Sequence, residues 1–276
     1  LRMQLGGRTV VRGSIVEISD RKKAEARIRR LTRTYACLSG INQAIVREKS
    51  QDPLLGEACR IAVGEGGFEL AWIGLAQADG GLGIVAHAGA DEATIALVRS
   101  FVEGQRPNCA FPYQAFTAGT RAHCLDIADN RLAAPWRAPA LARGYRAMVS
   151  LPIAAGGRTY GTFNLYSSEP GMFDEEELGL LDELALNLGF ALDIQDRDRA
   201  RVQAEAALRA SEERFREIAE TIEDVFWVYA PAERRVLYVS PAFERIWGRS
   251  CRSLLESQTV WEDSLHPDDR GRIVEA

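Results

Sequence analysis

This chain of 276 residues has few of the residue types on which enzyme chemistry usually depends. It contains three histidines, at 87, 123 and 266, and five cysteines, at 37, 59, 109, 124 and 251. No pair of cysteines has zinc-type spacing, and their odd, scattered arrangement favours reduced thiols in the cytoplasm. A phosphate-binding glycine loop, a Gly-Gly-Asp-Glu-Phe cyclase signature and a kinase phosphoacceptor motif are all missing. The sequence therefore predicts no catalytic site and no metal site.

Long apolar runs and a strong excess of charge are also missing. No uncharged apolar run approaches eighteen residues, so no segment is predicted to span a membrane. The net charge of −5 argues against a general nucleic-acid-binding surface. The chain begins at Leu1 and shows no signal peptide, so we expect a segment of a longer protein. Its length allows one to three domains.

A predicted β-hairpin over residues 144–166 organises the chain. Two apolar runs, 147–154 and 160–166, flank Ala155-Gly156-Gly157-Arg158, where the glycines supply the positive φ of a tight turn. Both runs are almost entirely apolar, which is typical of strands covered on both faces. Pro152 lacks one hydrogen-bond donor and indicates a bulge. These strands are therefore predicted to lie at the centre of a sheet.

A long helix is predicted from Asp174 to about residue 223. Asp174 and Glu177 have the spacing of a capping box, and Phe173 and Leu178 that of a hydrophobic staple. The helix carries two apolar seams with alternating spacings of three and four, one displaced by one place from the other. They consist of Leu181, Leu184, Leu188, Ala191 and Gln195, and of Leu208, Ser211, Phe215, Ile218 and Ile222. We expect both seams to contact a partner helix, with the displacement absorbed at residues 196–201; the alternative is that the two helices splay apart there.

A similar seam is predicted in an earlier helix, at about residues 21–47. Its members are Ile28, Leu31, Tyr35, Leu38, Asn42 and Ile45. The pattern favours a parallel homodimer with Asn42 paired across the axis, although packing of this helix on its own domain is the alternative. The segment between these helices contains two further strands, at 68–76 and 82–88, a short strand at 121–127, and a proline-containing stretch at 128–143 expected to be irregular.

Ordered short motifs between residues 34 and 196 resemble those of GAF domains. They are Trp72-Ile73-Gly74, Ala86-His87-Ala88-Gly89, Asp126-Ile127, Pro135-Trp136-Arg137, Gly144-Tyr145-Arg146, Leu151-Pro152-Ile153, Gly161-Thr162-Phe163 and Phe173 with its acidic helix start. The resemblance implies an α+β fold, in which a central antiparallel sheet carries helices on its faces. It also implies a ligand site between the sheet and the segments crossing it. The implied site residues are Trp72, Cys109, Phe111, Asp126, Trp136, Tyr145, Ser150 and Phe163.

Both flanks of this region resemble PAS domains. Glu17-Ile18-Ser19-Asp20 is similar to the end of a PAS domain, and Pro241-Ala242-Phe243-Glu244 with His266-Pro267-Asp268-Asp269 is similar to the first half of another. The predicted order is 1–20 PAS end, 21–33 linker helix, 34–196 GAF domain, 197–212 linker helix and 213–276 PAS beginning. This order is typical of bacterial sensor histidine kinases and cyclic-di-GMP enzymes. The segment itself is then expected to be a non-enzymatic sensory or relay module.

Three more specific functions of GAF domains were compared with the sequence. Bilin attachment requires Cys followed by His, whereas His123-Cys124 has the reverse order in a predicted strand. The cyclic-nucleotide motif fails because Asn164 is followed by Leu165. Cys109-Ala110 resembles one cysteine site of free methionine sulfoxide reductases, but Leu141-Ala142-Arg143 stands where their second cysteine lies. A thiol enzyme and a purely structural dimerisation spacer remain the alternatives to an unidentified small-molecule sensor.

Overall fold

A computed structural model describes residues 2–5, 8–11, 19–102, 111–221, 223–230, 232–233, 235–256 and 266. The chain forms two compact units, Leu1–Arg197 and Asp198–Ala276. The first unit begins with a hairpin of β1 (Arg2–Leu5) and β2 (Arg8–Val11), followed by helix α1 (Ser19–Arg47). Residues 12–18, which include Glu17 and Ile18 of the motif similar to the end of a PAS domain, lie outside the described residues.

An antiparallel sheet of five strands forms the centre of the first unit, in the order β4-β3-β7-β6-β5. The strands are β3 (Leu70–Ala76), β4 (Leu82–Ala88), β5 (Ala122–Cys124), β6 (Ala147–Ala155) and β7 (Arg158–Ser167). The predicted hairpin is present, with β6 and β7 joined through Gly156 and Gly157 at positive φ. The register shift in β6 falls between Ile153 and Ala154, one residue after Pro152. The α+β architecture predicted from the sequence is confirmed.

The two faces of the sheet carry different helices. One face packs against α1, α2 (Gln51–Gly64) and α6 (Glu175–Thr221), and this side holds the larger core. The other face is covered by α3 (Glu92–Val102), α4 (Phe111–Ala118) and α5 (Arg137–Ala142). The stretch 128–143 is more regular than predicted, because it forms a 3₁₀ turn (Arg131–Ala133) and α5. Pro139 fits in α5 because the first turn of a helix does not require its missing N–H.

The capping of α6 is partly as predicted. The Asp174 carboxylate accepts a hydrogen bond of 3.0 Å from the backbone N–H of Glu177. Phe173 and Leu178 are both buried in the helix-side core, as a hydrophobic staple requires. The reciprocal bond of a capping box is not made, because the Glu177 side chain accepts instead from the hydroxyl of Thr34 in α1 at 2.8 Å. Helix α6 is therefore joined to α1 at its first turn.

The first predicted seam of α6 is part of this domain's own core. Leu181, Leu184, Leu188 and Ala191 are buried against the sheet and the neighbouring helices. The prediction that these residues contact a partner helix is therefore wrong. Because the first seam is internal to the domain, it cannot form, together with the second seam, a displaced pair that contacts a partner helix. Apolar side chains exposed on the other side of α6 are Leu186, Phe190 and Ile194. In α1, Leu38 is likewise buried in the core, whereas Ile28, Tyr35 and Val46 are exposed.

The second unit contains the remainder of α6 with β8 (Trp227–Ala230), β9 (Arg235–Val239), α7 (Ala242–Trp247) and α8 (Cys251–Glu256). The two strands pair antiparallel. Val236, Val239, Phe243 and Leu254 form a small core. Phe215 in α6 contacts the rings of Phe226 and Tyr238, with centroids 6.1 and 5.3 Å away. Across the described residues, we find no helix that is both long and apolar enough to cross a membrane.

Candidate functional site

A cavity of about 50 Å³ lies on the face of the sheet covered by α3, α4 and α5. Its floor is a row of three side chains from neighbouring strands, Leu70, Tyr166 and Met148. They lie side by side because the sheet register pairs Leu70 with Tyr166 and Tyr166 with Met148. The residues contributed by the covering segments include Val98, Pro112, Trp136, Ala140 and Tyr145. The cavity is therefore predominantly apolar, as small-molecule sites usually are.

Aromatic side chains form the wall of this cavity. Trp136 meets Tyr166 edge to face at 6.3 Å, and Tyr145 lies 5.4 Å from the same ring. Phe111, the first residue of α4, continues the cluster with an edge contact to Trp136 at 6.3 Å. Burial raises the pKa of both Tyr145 and Tyr166, so both phenols stay neutral at physiological pH. The wall offers a planar, uncharged surface.

Arg143 supplies a positive charge to the lining of the cavity. Its Nε donates to the Thr94 hydroxyl at 2.9 Å, and its Nη1 donates to the Pro139 carbonyl at 3.2 Å. The Thr94 backbone N–H donates to the carboxylate of Asp91, the residue before α3. These contacts hold the guanidinium between α3 and α5. The pKa of Asp91 is lowered chiefly by its hydrogen bonds to Thr94, and Arg143 contributes to this shift.

A second row on the same sheet face contains polar side chains. Trp72 in β3 pairs with Asn164 in β7, and Asn164 pairs with Ser150 in β6. All three residues are 0% exposed. Because paired residues project from the same face, this row lies next to the cavity floor, two residues along each strand. Helix α4 packs on β5, β6 and β7 on this side of the sheet.

Each residue of this polar row carries a buried polar atom for which the described residues provide no hydrogen-bond partner. The Asn164 Nδ2 donates to the carbonyls of Thr162 and Trp72, at 3.2 and 3.4 Å, which fixes the amide orientation and leaves Oδ1 unpaired. The Ser150 Oγ is also unpaired. The Trp72 indole N–H interacts with the Tyr166 hydroxyl and so offsets part of the rise in the pKa of Tyr166. This interaction does not reach hydrogen-bond geometry, and the described residues offer the indole N–H no other acceptor. Each such group costs about 1–3 kcal/mol if it stays unpaired.

The structure divides the predicted site residues into separate groups. Trp136 and Tyr145 line the cavity, Phe111 adjoins it, and Trp72 and Ser150 belong to the polar row. Cys109 lies outside the described residues.

Two predicted site residues lie away from the cavity. Phe163 is buried on the opposite face in the helix-side core, because it alternates with Asn164 along β7. Asp126 forms an ion pair with Arg146 at 2.8 Å, and this hydrogen bond lowers the pKa of the Asp126 carboxyl. Phe163 therefore contributes to the core beneath α6, and Asp126 links the segment after β5 to the start of β6.

Sequence reasoning missed several residues of this region: Leu70, Thr94, Arg143, Met148, Asn164 and Tyr166. Strand alternation would have identified four of them. Counting by twos from Trp72 and Ser150 gives Leu70 and Met148, and the hairpin register then gives Asn164 and Tyr166. Thr94 and Arg143 carry no comparable signal, because they meet only when α3 packs beside α5.

The four described cysteines are free thiols in unreactive surroundings. Burial raises the pKa of Cys37 to about 12, and it also raises the pKa of Cys59, Cys124 and Cys251. A reactive cysteine needs the opposite shift, because the thiolate is the nucleophile. No cluster of three potential metal-ligating His, Cys, Asp or Glu residues occurs among the residues that the structure describes.

Comparison with known families gives two matches. The GAF domain model matches residues 48–193, and the PAS fold model matches residues 236–276. No curated protein matches the chain.

Solved structures with a similar fold include three bacterial proteins. The free methionine-R-sulfoxide reductase of Neisseria meningitidis is 16% identical, covering 60% of this chain and 91% of its own, with a TM-score of 0.49. GAF domains of phosphoenolpyruvate-protein phosphotransferases give similar values. The one from Coxiella burnetii is 15% identical, covering 60% and 96%, with a TM-score of 0.48. The one from Acinetobacter is 13% identical, covering 58% and 93%, with a TM-score of 0.46. Similarity at this level carries no information about ligand or activity.

Proposed function

Because the chain belongs to the GAF domain family, and GAF and PAS domains are sensory signalling modules, we propose that residues 34–196 bind a small molecule and relay its presence through α1 and α6. The observation that carries this proposal is the position of β6 and β7 between the cavity and the helix-side core that contains α6. Met148 and Tyr166 line the cavity on one face, whereas the alternate residues Val149 and Leu165 enter the helix-side core on the other. A ligand that shifts these strands acts directly on the packing of α6.

The contact between β6 and α6 is close enough to transmit such a shift. A Cβ atom on Gly189 would lie 2.3 Å from the Ala154 carbonyl oxygen, so the helix backbone rests almost directly on the strand. Packed interfaces of this kind move as units because they have little free volume. A displacement of β6 is therefore expected to move the middle of α6.

Helix α1 runs parallel to the part of α6 that belongs to the first unit, and hydrogen bonds join the two at four levels. From the first to the last level, Arg30 bonds to Asp174, Thr34 to Glu177, Asn187 to Asn42, and Gln195 to the Glu48 carbonyl. Since α1 precedes the sheet in sequence and α6 follows it, the helix that enters the domain is attached to the helix that leaves it. This arrangement suits a relay between flanking domains.

We extend the proposal to a parallel homodimer formed through α1 and α6. Exposed apolar residues of these helices include Tyr35, Val46, Leu186, Phe190 and Ile194. Their exposure on helices that pack together through Asn42 and Asn187 favours a second copy of the same chain as the partner. Asn42 already has an intrachain partner, so the expected pairing of Asn42 with its twin is not needed to satisfy it. The register is instead attributed to the apolar residues.

We also propose a cellular compartment and an output domain from the sequence. The free thiols suit a reducing, cytoplasmic compartment. The order of domains suits a sensor whose output domain is a histidine kinase or a cyclic-di-GMP enzyme. No cofactor is assigned, because the lining of the cavity offers no chemistry specific to one.

Thermal unfolding in the presence of small-molecule libraries tests ligand binding, because a ligand stabilises only by binding the folded state. Val98→Phe should fill the cavity and abolish any ligand-induced rise in Tm. The control is Val85→Phe, the same change at a half-exposed residue that does not line the cavity. A ligand that stabilises both variants equally would place the site elsewhere. Failure of every compound to raise Tm would favour the structural-spacer alternative.

A further inference from the structure

The polar row Trp72–Asn164–Ser150 contains more hydrogen-bonding capacity than the described residues satisfy. Three adjacent strands each contribute one fully buried side chain with a polar atom that finds no partner among those residues, and all three lie on the face that carries the cavity. The row directly beside it forms the cavity floor. Buried polar atoms without partners are uncommon in folded proteins, and a group of three in register needs an explanation.

We infer that the ligand of this site is a small planar molecule with a neutral amide-type edge, an N–H next to a C=O, and that the polar row binds that edge. This inference rests on the proposed ligand-binding function and specifies the class of ligand. Asn164 Oδ1 can only accept a hydrogen bond, so it requires a donor on the ligand. Trp72 Nε1 can only donate, so it requires an acceptor, and the Ser150 hydroxyl can pair with either.

The charge and shape of the surroundings agree with this class. Trp72, Asn164 and Ser150 are uncharged, and the nearby Tyr145 and Tyr166 stay neutral because burial raises the pKa of each. A full charge buried at the row would lose its hydration without an opposite charge among the three row side chains, because the Arg143 guanidinium lies in the cavity lining and binds Thr94 and Pro139. The rings of Trp136 and Tyr166 offer faces and edges suited to a conjugated ring.

The row is closed to solvent, so the ligand must enter by way of the cavity. Pro112 of α4 lines the cavity, and α4 is the helix packed over β6 and β7 beside it. A ligand that extends from the cavity floor to the row therefore displaces α4 outward. Amide hydrogen exchange of residues 111–118 should change on binding.

Two buried serines provide a test of the row that needs no ligand. Ser150 is 0% exposed with an unpaired Oγ, whereas Ser167 is 3% exposed with an Oγ that accepts from the Glu169 N–H at 3.0 Å. Ser150→Ala should leave the Tm of the free protein unchanged or raise it, and Ser167→Ala should lower it. If Ser150→Ala lowers the Tm as much as Ser167→Ala, its hydroxyl is already satisfied and the inference is wrong.

Binding of matched compounds, measured by calorimetry, tests the ligand class. The probes are 2-pyridone and uracil against N-methyl-2-pyridone and 1,3-dimethyluracil, with benzoate and toluene as charged and hydrocarbon compounds of similar size. Each parent lactam should bind at least about tenfold more tightly than its N-methylated form, equivalent to about 1.4 kcal/mol. Ser150→Ala should weaken lactam binding by a similar factor, and Ser167→Ala should not.

The outcomes separate this inference from the proposed function. Equal binding of the parent and N-methylated compounds, or unchanged lactam binding by Ser150→Ala, would overturn the neutral amide-type edge while leaving a small-molecule sensor. Binding of benzoate or toluene but not of the lactams would likewise overturn the neutral amide-type edge and leave a small-molecule sensor. If none of the six compounds binds, the inference fails, and the library screen with Val98→Phe then decides whether the sensory proposal fails with it.

Discussion

The Thr34 hydroxyl in α1 donates a hydrogen bond of 2.8 Å to Glu177 Oε1 in α6, and both side chains are buried. The second carboxylate oxygen, Oε2, has no partner among the described residues. Burial raises the pKa of Glu177, and the hydrogen bond from Thr34 and the charges of Arg30 and Arg33 only partly offset this effect. A titratable group thus lies at the junction of the helix that enters the domain and the helix that leaves it.

The first prediction concerns the pH dependence of stability at this junction. The folded-state pKa of Glu177 is above its unfolded value, so its contribution to stability is lost as pH rises from about 4.3 through the raised folded pKa. Glu177→Gln removes this titration and keeps an oxygen for Thr34. The stability of the variant relative to wild type should therefore increase with pH. Urea unfolding at several values between pH 4 and 8 measures the difference.

The control for this experiment is Glu176→Gln, which changes a neighbouring carboxylate that is exposed. Glu176 pairs with Arg27 at the surface, where an ion pair contributes little. Glu176→Gln should therefore change the free energy of unfolding much less than Glu177→Gln. A pH-independent difference for Glu177→Gln would mean that the carboxyl group titrates normally in the folded protein.

The second prediction concerns two glycines of α6. Gly189→Ala places a methyl group against the Ala154 carbonyl and should destabilise the domain by about 1–3 kcal/mol through overpacking. Gly179 is exposed with no atom within 4 Å of the position of an added Cβ. Gly179→Ala should therefore stabilise the domain by about 0.5–1 kcal/mol, because alanine favours the helix. Denaturant unfolding of both variants tests the predicted opposite signs, and equal effects would contradict the close α6–β6 contact.

The third prediction distinguishes the buried from the exposed apolar residues of α6. Leu188 is 0% exposed in the core, so Leu188→Ala should cost about 2–5 kcal/mol. Leu208 is 60% exposed, and Leu208→Ala should change stability by less than about 0.5 kcal/mol. Both are measured by chemical unfolding of dilute protein, where association is suppressed. A small effect at Leu188 would restore the interpretation that this residue belongs to an interhelical seam.

The fourth prediction concerns self-association. Phe190→Glu combined with Ile194→Glu should convert a dimer into a monomer, because it places charges in the exposed apolar stripe of α6. Val85→Glu, a comparable change at an exposed residue of β4, should leave the dimer intact. Sedimentation velocity at micromolar concentrations measures the change. A wild-type protein that is monomeric even at high micromolar concentration would exclude the proposed homodimer.

The amino-acid sequence by itself determined the local elements at the centre of this fold. Gly156 and Gly157 specify the turn between β6 and β7, because they adopt positive φ without strain. Asp174 specifies the start of α6 through its side-chain bond to the Glu177 N–H. These interactions span only a few residues, so short-range sequence patterns were sufficient to predict them. The ordered motifs likewise sufficed to identify the family that the comparison found.

Only the tertiary structure decided which surfaces these elements share. Alternation along β7 separates Phe163 from Asn164, but it does not say which face receives α1 and α6 and which receives the cavity. The apolar stripe of Leu181, Leu184 and Leu188 fits a partner helix as well as its own sheet, because burial is non-directional. The sheet fills that role here, and the same packing brings Thr34 to Glu177, residues 143 positions apart in the sequence.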